Sequence, residues 1–358
     1  MPENISLLYY FIIGGLLGAT LNYFQFGFSS SFRALISDHH TLGFRALLWM
    51  LGLAILLFAP LLAIESWGNQ SFQGFIRPLS LAIPIGAFMF GIGMQIGCGC
   101  TSGTLNRVGQ LQPVSFTTLA FMIIGGTIAA ATFNDWQALP TSPAIAFQNS
   151  FGWLPGLAIQ LMILFGFYKI LTYYEQKQTG QIEPLFNSST RKVHPYLLAG
   201  LLLATLNALL LFTAGSPWSI SSAFPFWGIK LIELMGLPFD WPFWAYAQEN
   251  STSLNQALLF NPVSLTTFGV IFGALIVSMI HPRAKIKVTP MRLIMSSLGG
   301  TIMGFGAVMA SGCNIGAFFS GIASGSLHGW MWLLFALLGN ILGLRIRAYL
   351  LKCSSCGA

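Results

Sequence analysis

The sequence predicts an all-α polytopic membrane protein: about nine transmembrane helices plus short re-entrant or interfacial helices. Three observations carry that prediction. Only 7% of the 358 residues are charged and 55% are hydrophobic, against roughly 25% charge in soluble domains. The mean hydropathy is +0.72. Nine apolar runs recur, at 5–28, 43–64, 78–97, 113–133, 151–174, 195–214, 258–281, 293–311 and 328–350, each about one bilayer thickness long. A tenth stretch, 222–236, is short and carries Lys230 and Glu233, so it reads as an interfacial or re-entrant helix.

A net charge of +7 does not point to nucleic acid here. The cations sit in short connections between apolar runs, where they set topology. Lys177, Arg191 and Lys192 fall in one connection, Arg283, Lys285, Lys287 and Arg292 in another, and Arg345, Arg347 and Lys352 near the end. Arg33 and Arg45 make an early loop basic, whereas the segments around Asp135, Asp240 and Glu249 are acidic. Nine crossings satisfy this pattern with the N-terminus outside and the C-terminus cytoplasmic. Apart from Lys230 in the tenth stretch, Arg77 is the one basic residue that this orientation leaves outside. The first apolar run lacks a basic flank, so no cleavable signal peptide is expected. Five cysteines are too few and too scattered for a disulfide framework.

The chain also repeats itself. GIGMQIGCGCTSG at 91–103 returns as GFGAVMASGCNIG at 304–316, sharing G-x-G-x5-G-C-x-x-G. IIGGLLGATLN at 12–22 returns as LLAGLLLATLN at 197–207, with seven identities in eleven places. The expected organisation is an N-terminal membrane half at 1–174, a cytoplasmic linker at 175–194, a C-terminal membrane half at 195–350 and a CxxC tail at 351–358. An odd number of spans in the first half makes equivalent helices cross in opposite directions, the pattern of inverted pseudo-repeats with a site at their interface.

The chemistry is expected in the paired motifs. Glycines let the backbone leave helical geometry and approach closely. Broken helices expose N–H groups and a partial positive charge to an anion. Cys100 and Cys313 add soft thiols, and Thr101, Ser102 and Asn314 add neutral hydrogen bonds. Gly99, Gly103, Gly312 and Gly316 supply the backbone. Soft sulfur suits an anion that itself carries sulfur, or a related selenium compound, better than a hard phosphate. Against this stands plain packing, since cysteine is often a small buried residue; the matched context of two copies favours a site. Cys98 aligns with Ser311 and is a secondary candidate.

Among the remaining polar residues, Asn22 and Asn207 are matched in the repeat and are expected to hydrogen-bond between helices. Arg107 reads as an anchor for the cytoplasmic loop, and His328 as an interfacial residue before the last span. Trp153, Trp218, Trp227, Trp241, Trp244, Trp330 and Trp332 fit aromatic belts. The Cys353-Ser-Ser-Cys356 tail is a lone pair and weak evidence for zinc; no metal or cofactor is expected. A membrane thiol–disulfide oxidoreductase using Cys98/Cys100 or Cys353/Cys356 is the rival class, and a passive anion channel is a second alternative.

GCTSG at 99–103, GCNIG at 312–316 and SGIASGSLHGW at 320–330 resemble the YeeE/YedE family of sulfur-transport membrane proteins. The resemblance covers most of the chain. It implies uptake of thiosulfate across the bacterial inner membrane, through an hourglass whose funnels meet at a central cysteine-lined constriction. It implies that Cys100 and Cys313 are the two central cysteines, passing substrate by transient S–H···S hydrogen bonds. It also implies, as a partner, a small TusA-like sulfur carrier, which the cytoplasmic tail could meet. The third cysteine of thiosulfate-transporting members has no counterpart at Gln25–Phe28 here, and some relatives are linked to selenium instead.

Overall fold

A computed structural model describes residues 3–68, 70–187 and 192–353. The helices are α1 (Glu3–Tyr23), α2 (Phe28–Arg33), α3 (Leu42–Ile64), α4 (Ala82–Ile96), α5 (Thr101–Gly109), α6 (Pro113–Ala131), α7 (Phe133–Gln137), α8 (Phe147–Phe151) and α9 (Trp153–Thr179). They continue with α10 (Pro195–Ala214), α11 (Ala223–Leu234), α12 (Ala245–Glu249), α13 (Ser251–Leu254), α14 (Pro262–Ile280), α15 (Pro290–Met309) and α16 (Leu327–Cys353). Two π-helical segments, Ala34–Asp38 and Asn314–Gly321, lie between them. Strands are confined to two-residue pairings in the loops. Among the described residues, nine helical stretches are long and apolar enough to cross a membrane. The protein is a multi-pass membrane protein.

Local sequence explains the boundaries. α6, α10, α14 and α15 each carry proline in the first turn, where its missing N–H costs nothing. His194, Asn261 and Thr289 cap three of these helices by accepting a first-turn N–H. α9 and α10 end on Gly180 and Gly215 in the left-handed region. α9 runs through the start of the expected linker because Glu175 is buried there against Arg45, at 2.8 Å, and against the Thr41 hydroxyl, at 2.6 Å. This satisfied network makes the segment helix rather than loop.

The stretch containing α4 and α5 is 72% buried, against 22% for α9, so α4 is central and α9 peripheral. Met162, Phe165 and Ile170 of α9 are exposed, as suits a lipid-facing helix. α4 lies antiparallel to α15: Gly86 sits against Ala310, and Gly93 against Gly299 and Met303. α16 packs on α4 and α6 on α15; α14 packs on α1 and α3 on α10. α11 packs on α6 and α2 on α3. Asn22 donates to the Ala274 carbonyl at 2.7 Å, joining α1 to α14, and Asn207 donates to the Ser320 hydroxyl at 3.1 Å. In membranes such bonds average somewhat under 1 kcal/mol.

The loops gather on two faces. On the first, 65–81 pairs with 132–152 at Leu79–Ser142, and Gln137 reaches Glu249 in 215–261. On the second, Arg45 joins 34–41 to 175–187, and Gln112 holds the Ala284 carbonyl at 2.9 Å.

Candidate functional site

Both cysteine motifs begin as a helix end. α4 turns through Cys98 at φ 61°, and α15 turns through Ser311 at φ 52°. The closing bonds match one for one. Gly97 N–H meets Gly93 O at 2.8 Å and Gly99 N–H meets Met94 O at 3.1 Å; Ala310 meets Gly306 O at 2.9 Å and Gly312 meets Ala307 O at 2.8 Å. This is a left-handed helix closure with cysteine and serine where glycine is usual, costing about 1–2 kcal/mol each.

The repeated glycines divide into two jobs. Gly91, Gly93, Gly304 and Gly306 sit at helix crossings, where an added Cβ would come within 2.3, 2.6, 2.1 and 2.5 Å of a facing carbonyl oxygen. Gly312 belongs to the break itself: a Cβ there would meet the Ala317 nitrogen at 2.6 Å. Gly99 differs from its counterpart. Its nearest such neighbour is 3.4 Å away and its φ is not positive, so the conformational demand in the first motif falls on Cys98 instead. Gly103 lies against the Cys100 sulfur and Gly316 against the Phe75 ring.

After each break a cysteine caps the next helix. Cys100 Sγ accepts the Gly103 N–H at 3.4 Å, and Cys313 Sγ accepts the Ile315 N–H at 3.4 Å. From there α5 leads to the second face, towards Gln112. The π-helical segment leads to the first face, where Ser326 pairs with Ala146. The two helix N-termini therefore meet in the interior. Asn314 donates to the Ser102 hydroxyl at 3.0 Å, and that hydroxyl is 3.4 Å from Cys100 Sγ. The Thr101 hydroxyl lies against the Cys313 thiol, and the two thiols are within electrostatic reach of each other.

This junction is closed to solvent. Cys100, Thr101, Ser102, Cys313 and Asn314 are each at most 1% exposed. No charged side chain lies in either motif. Positive character comes instead from the N-terminal ends of two helices. Two buried polar atoms nearby, Asn314 Oδ1 and His328 Nδ1, have no partner, each worth about 1–3 kcal/mol in lost solvation. The arrangement can donate weak hydrogen bonds to an anion and gives it no permanent cation to stick to.

A cavity of about 560 Å3 opens on the first face and reaches Ser311, two residues before Cys313. Arg77 lines it, with its guanidinium 4.6 Å from the Phe75 ring centroid. Arg77 is exposed to the cavity yet ringed by protein, and this desolvation lowers its pKa from the ordinary guanidinium value, leaving it cationic near neutral pH. Phe75 is fixed by its N–H to Ser324 Oγ at 2.8 Å. The residue that looks misplaced by charge counting thus lines an approach to the second cysteine motif.

Several other residues sit elsewhere than expected. His328 is fully buried rather than interfacial, with Nε2 3.3 Å from the Ala310 carbonyl oxygen. Arg107 braces the motif by donating to the Cys98 carbonyl instead of anchoring a loop. Trp218, Trp227 and Trp332 are buried, not in aromatic belts. Trp332 donates to the Gly312 carbonyl at 3.0 Å, supporting the second motif in a way that nothing in its spacing announces. At Gln25–Phe28, where the resemblance implies a third cysteine, Phe26 and Phe28 are buried and Phe28 packs edge-on to Phe318. Cys98, Cys100 and Cys313 are free thiols. Cys353 closes α16, and Cys356 lies outside the described residues.

A family model described as sulphur transport matches residues 25–342. The chain is 26% identical to the thiosulfate transporter TsuA of Spirochaeta thermophila over 354 residues, covering 92% of this chain and 95% of that protein. It is 27% identical to the thiosulfate transporter TsuA of Escherichia coli, covering 92% and 91%. A probable transporter YedE of Salmonella typhimurium is 32% identical over 136 residues, 37% of this chain and 32% of that protein. A family match running from the end of the first membrane helix into the last, on a multi-pass chain with paired cysteine motifs at its centre, means that the chain belongs to the sulphur transport family.

Proposed function

We propose that the protein carries thiosulfate or a closely similar sulfur oxyanion across the bacterial inner membrane, inward. The observation that carries this reading is the meeting of two cysteine-capped helix N-termini in a dry, uncharged junction, bonded through Asn314 and Ser102. The anion enters the cavity on the first face under the attraction of Arg77. It then replaces the Asn314–Ser102 contact, taking hydrogen bonds from the Ser102 and Thr101 hydroxyls, the Asn314 amide and the Cys100 and Cys313 thiols. The N–H groups of α5 and of the segment 314–321 face the same point. Neutral donors and soft sulfur contacts hold a thiosulfate-like anion weakly enough for it to leave.

In this reading the halves are inverted repeats, the first face is outside and the second cytoplasmic. Support comes from packing that survives exchange of the halves: α1–α14 with α10–α3, α6–α15 with α16–α4, and Cys98 with Ser311 at positive φ. The basic connections on the second face fit the positive-inside rule. An imported sulfur anion then arrives on the side where a TusA-like carrier would take it.

The test is uptake of radiolabelled thiosulfate into proteoliposomes holding the purified protein, with sulfate, sulfite and selenite as competitors. Saturable uptake displaced by thiosulfate is expected. No uptake above protein-free vesicles would refute the reading, and preferential displacement by selenite would move the substrate to selenium.

A further inference from the structure

The second face holds three arginines that the proposed pathway has not used. Arg33 ends α2, Arg107 lies in α5 and Arg347 in α16, far apart in sequence yet turned to one place. Arg33 is within electrostatic reach of both Arg107 and Arg347, and of Cys98. All three arginines are half-buried, as is Cys98. The chain builds a support for them. Gln95 is fully buried and accepts from Arg33 Nε on its side chain at 3.2 Å and from Arg347 Nη1 on its carbonyl at 3.5 Å. Its amide is held in turn by Asn340 Oδ1 at 2.6 Å. Arg107 donates to the neighbouring Cys98 carbonyl.

Among the described residues, each guanidinium therefore spends one N–H on backbone or amide oxygen, of the five it has. Among the described residues no acceptor takes the rest, and none of the three makes an ion pair. Among the described residues, Asp38 is the one carboxylate within reach of Arg33, and it is exposed. Cations that serve only topology can spread through solvent. Here three converge in partial burial, where their repulsion is less screened than in water. The open donors match the oxygens of a tetrahedral oxyanion, which guanidinium binds in bidentate fashion.

We infer that Arg33, Arg107 and Arg347 form a second anion site, on the far side of the cysteine junction, which holds a doubly charged sulfur oxyanion as it leaves. The inference rests on the transport reading above. Arg77 and this cluster then stand at opposite ends of a neutral junction, and Cys98 borders the exit.

Two measurements test it. The first is equilibrium dialysis of radiolabelled thiosulfate with the purified full-length protein. R107Q and R347Q are expected to weaken binding at one class of site about tenfold each, as loss of a charge-assisted hydrogen bond does, and R347K much less. The second needs no arginine variant. In a C353S/C356S protein, Cys98 is the accessible thiol, since Cys100 and Cys313 are buried. An anionic methanethiosulfonate should label it at least tenfold faster than a cationic one at low salt, with the difference shrinking as salt rises. Equal labelling rates, or no labelling of Cys98, would overturn the inference. Thiosulfate binding unchanged in R107Q and R347Q would also overturn it, while the transport reading survives. Wild-type protein that binds no thiosulfate would instead sink the transport reading itself.

Discussion

Asn314 and Ser102 lie 212 residues apart in sequence and share a hydrogen bond of 3.0 Å in the protein interior. Each directly follows or nearly follows the cysteine of its own motif, so the bond ties the two helix N-termini together. Cutting it should loosen the junction without emptying it. Asn314→Ala and Ser102→Ala are each expected to cost ~1–2 kcal/mol of stability. The double variant should lose less than the sum, with a coupling of about 0.5–1.5 kcal/mol. Thermal unfolding of the four detergent-solubilised proteins checks this. Strict additivity would mean that the contact contributes nothing.

The two motif glycines should separate under substitution. Gly312→Ala drives a Cβ to within 2.6 Å of the Ala317 nitrogen, whereas Gly99→Ala meets nothing closer than 3.4 Å. Gly312→Ala is expected to lose ~2–4 kcal/mol and most transport, because backbone cannot step aside cheaply. Gly99→Ala should stay within about 1 kcal/mol of the parent. Thermal unfolding and uptake measured side by side will show whether the asymmetry holds. Equal tolerance at both positions would contradict it.

That asymmetry is not written in the sequence, although the breaks themselves are. Hydropathy places the membrane helices because each span must be apolar along its length, and the duplicated G-x-G-x5-G-C-x-x-G skeleton singles out the two breaks. Composition alone says nothing of which glycine carries which demand. Gly91 and Gly304 serve crossings with α16 and α6, and the left-handed residues are Cys98 and Ser311. Trp332 and Arg107 brace the motifs through single long-range hydrogen bonds, which leave no periodic trace. Arg77 contradicts the charge pattern of its face, and that contradiction was the available signal that it has another role.

Arg77→Gln should slow uptake roughly tenfold at low ionic strength, through loss of electrostatic attraction into the cavity. The deficit should narrow as salt rises, since screening also weakens the attraction in the parent. Arg77→Lys keeps the charge and should retain most of the rate. Initial uptake rates across a salt series test this, and a deficit independent of salt would assign Arg77 a structural role through its contact with Phe75.

In the proposed function both thiols at the junction touch the passing anion. The most direct measurement is the initial rate of radiolabelled thiosulfate uptake into proteoliposomes containing Cys100→Ala or Cys313→Ala protein, matched to the parent for amount and size-exclusion profile. Each substitution removes one small buried sulfur, and as packing alone should cost only ~1 kcal/mol. The proposed function predicts at least a tenfold loss of rate in both variants while each remains folded. Parental rates from either folded variant would contradict it.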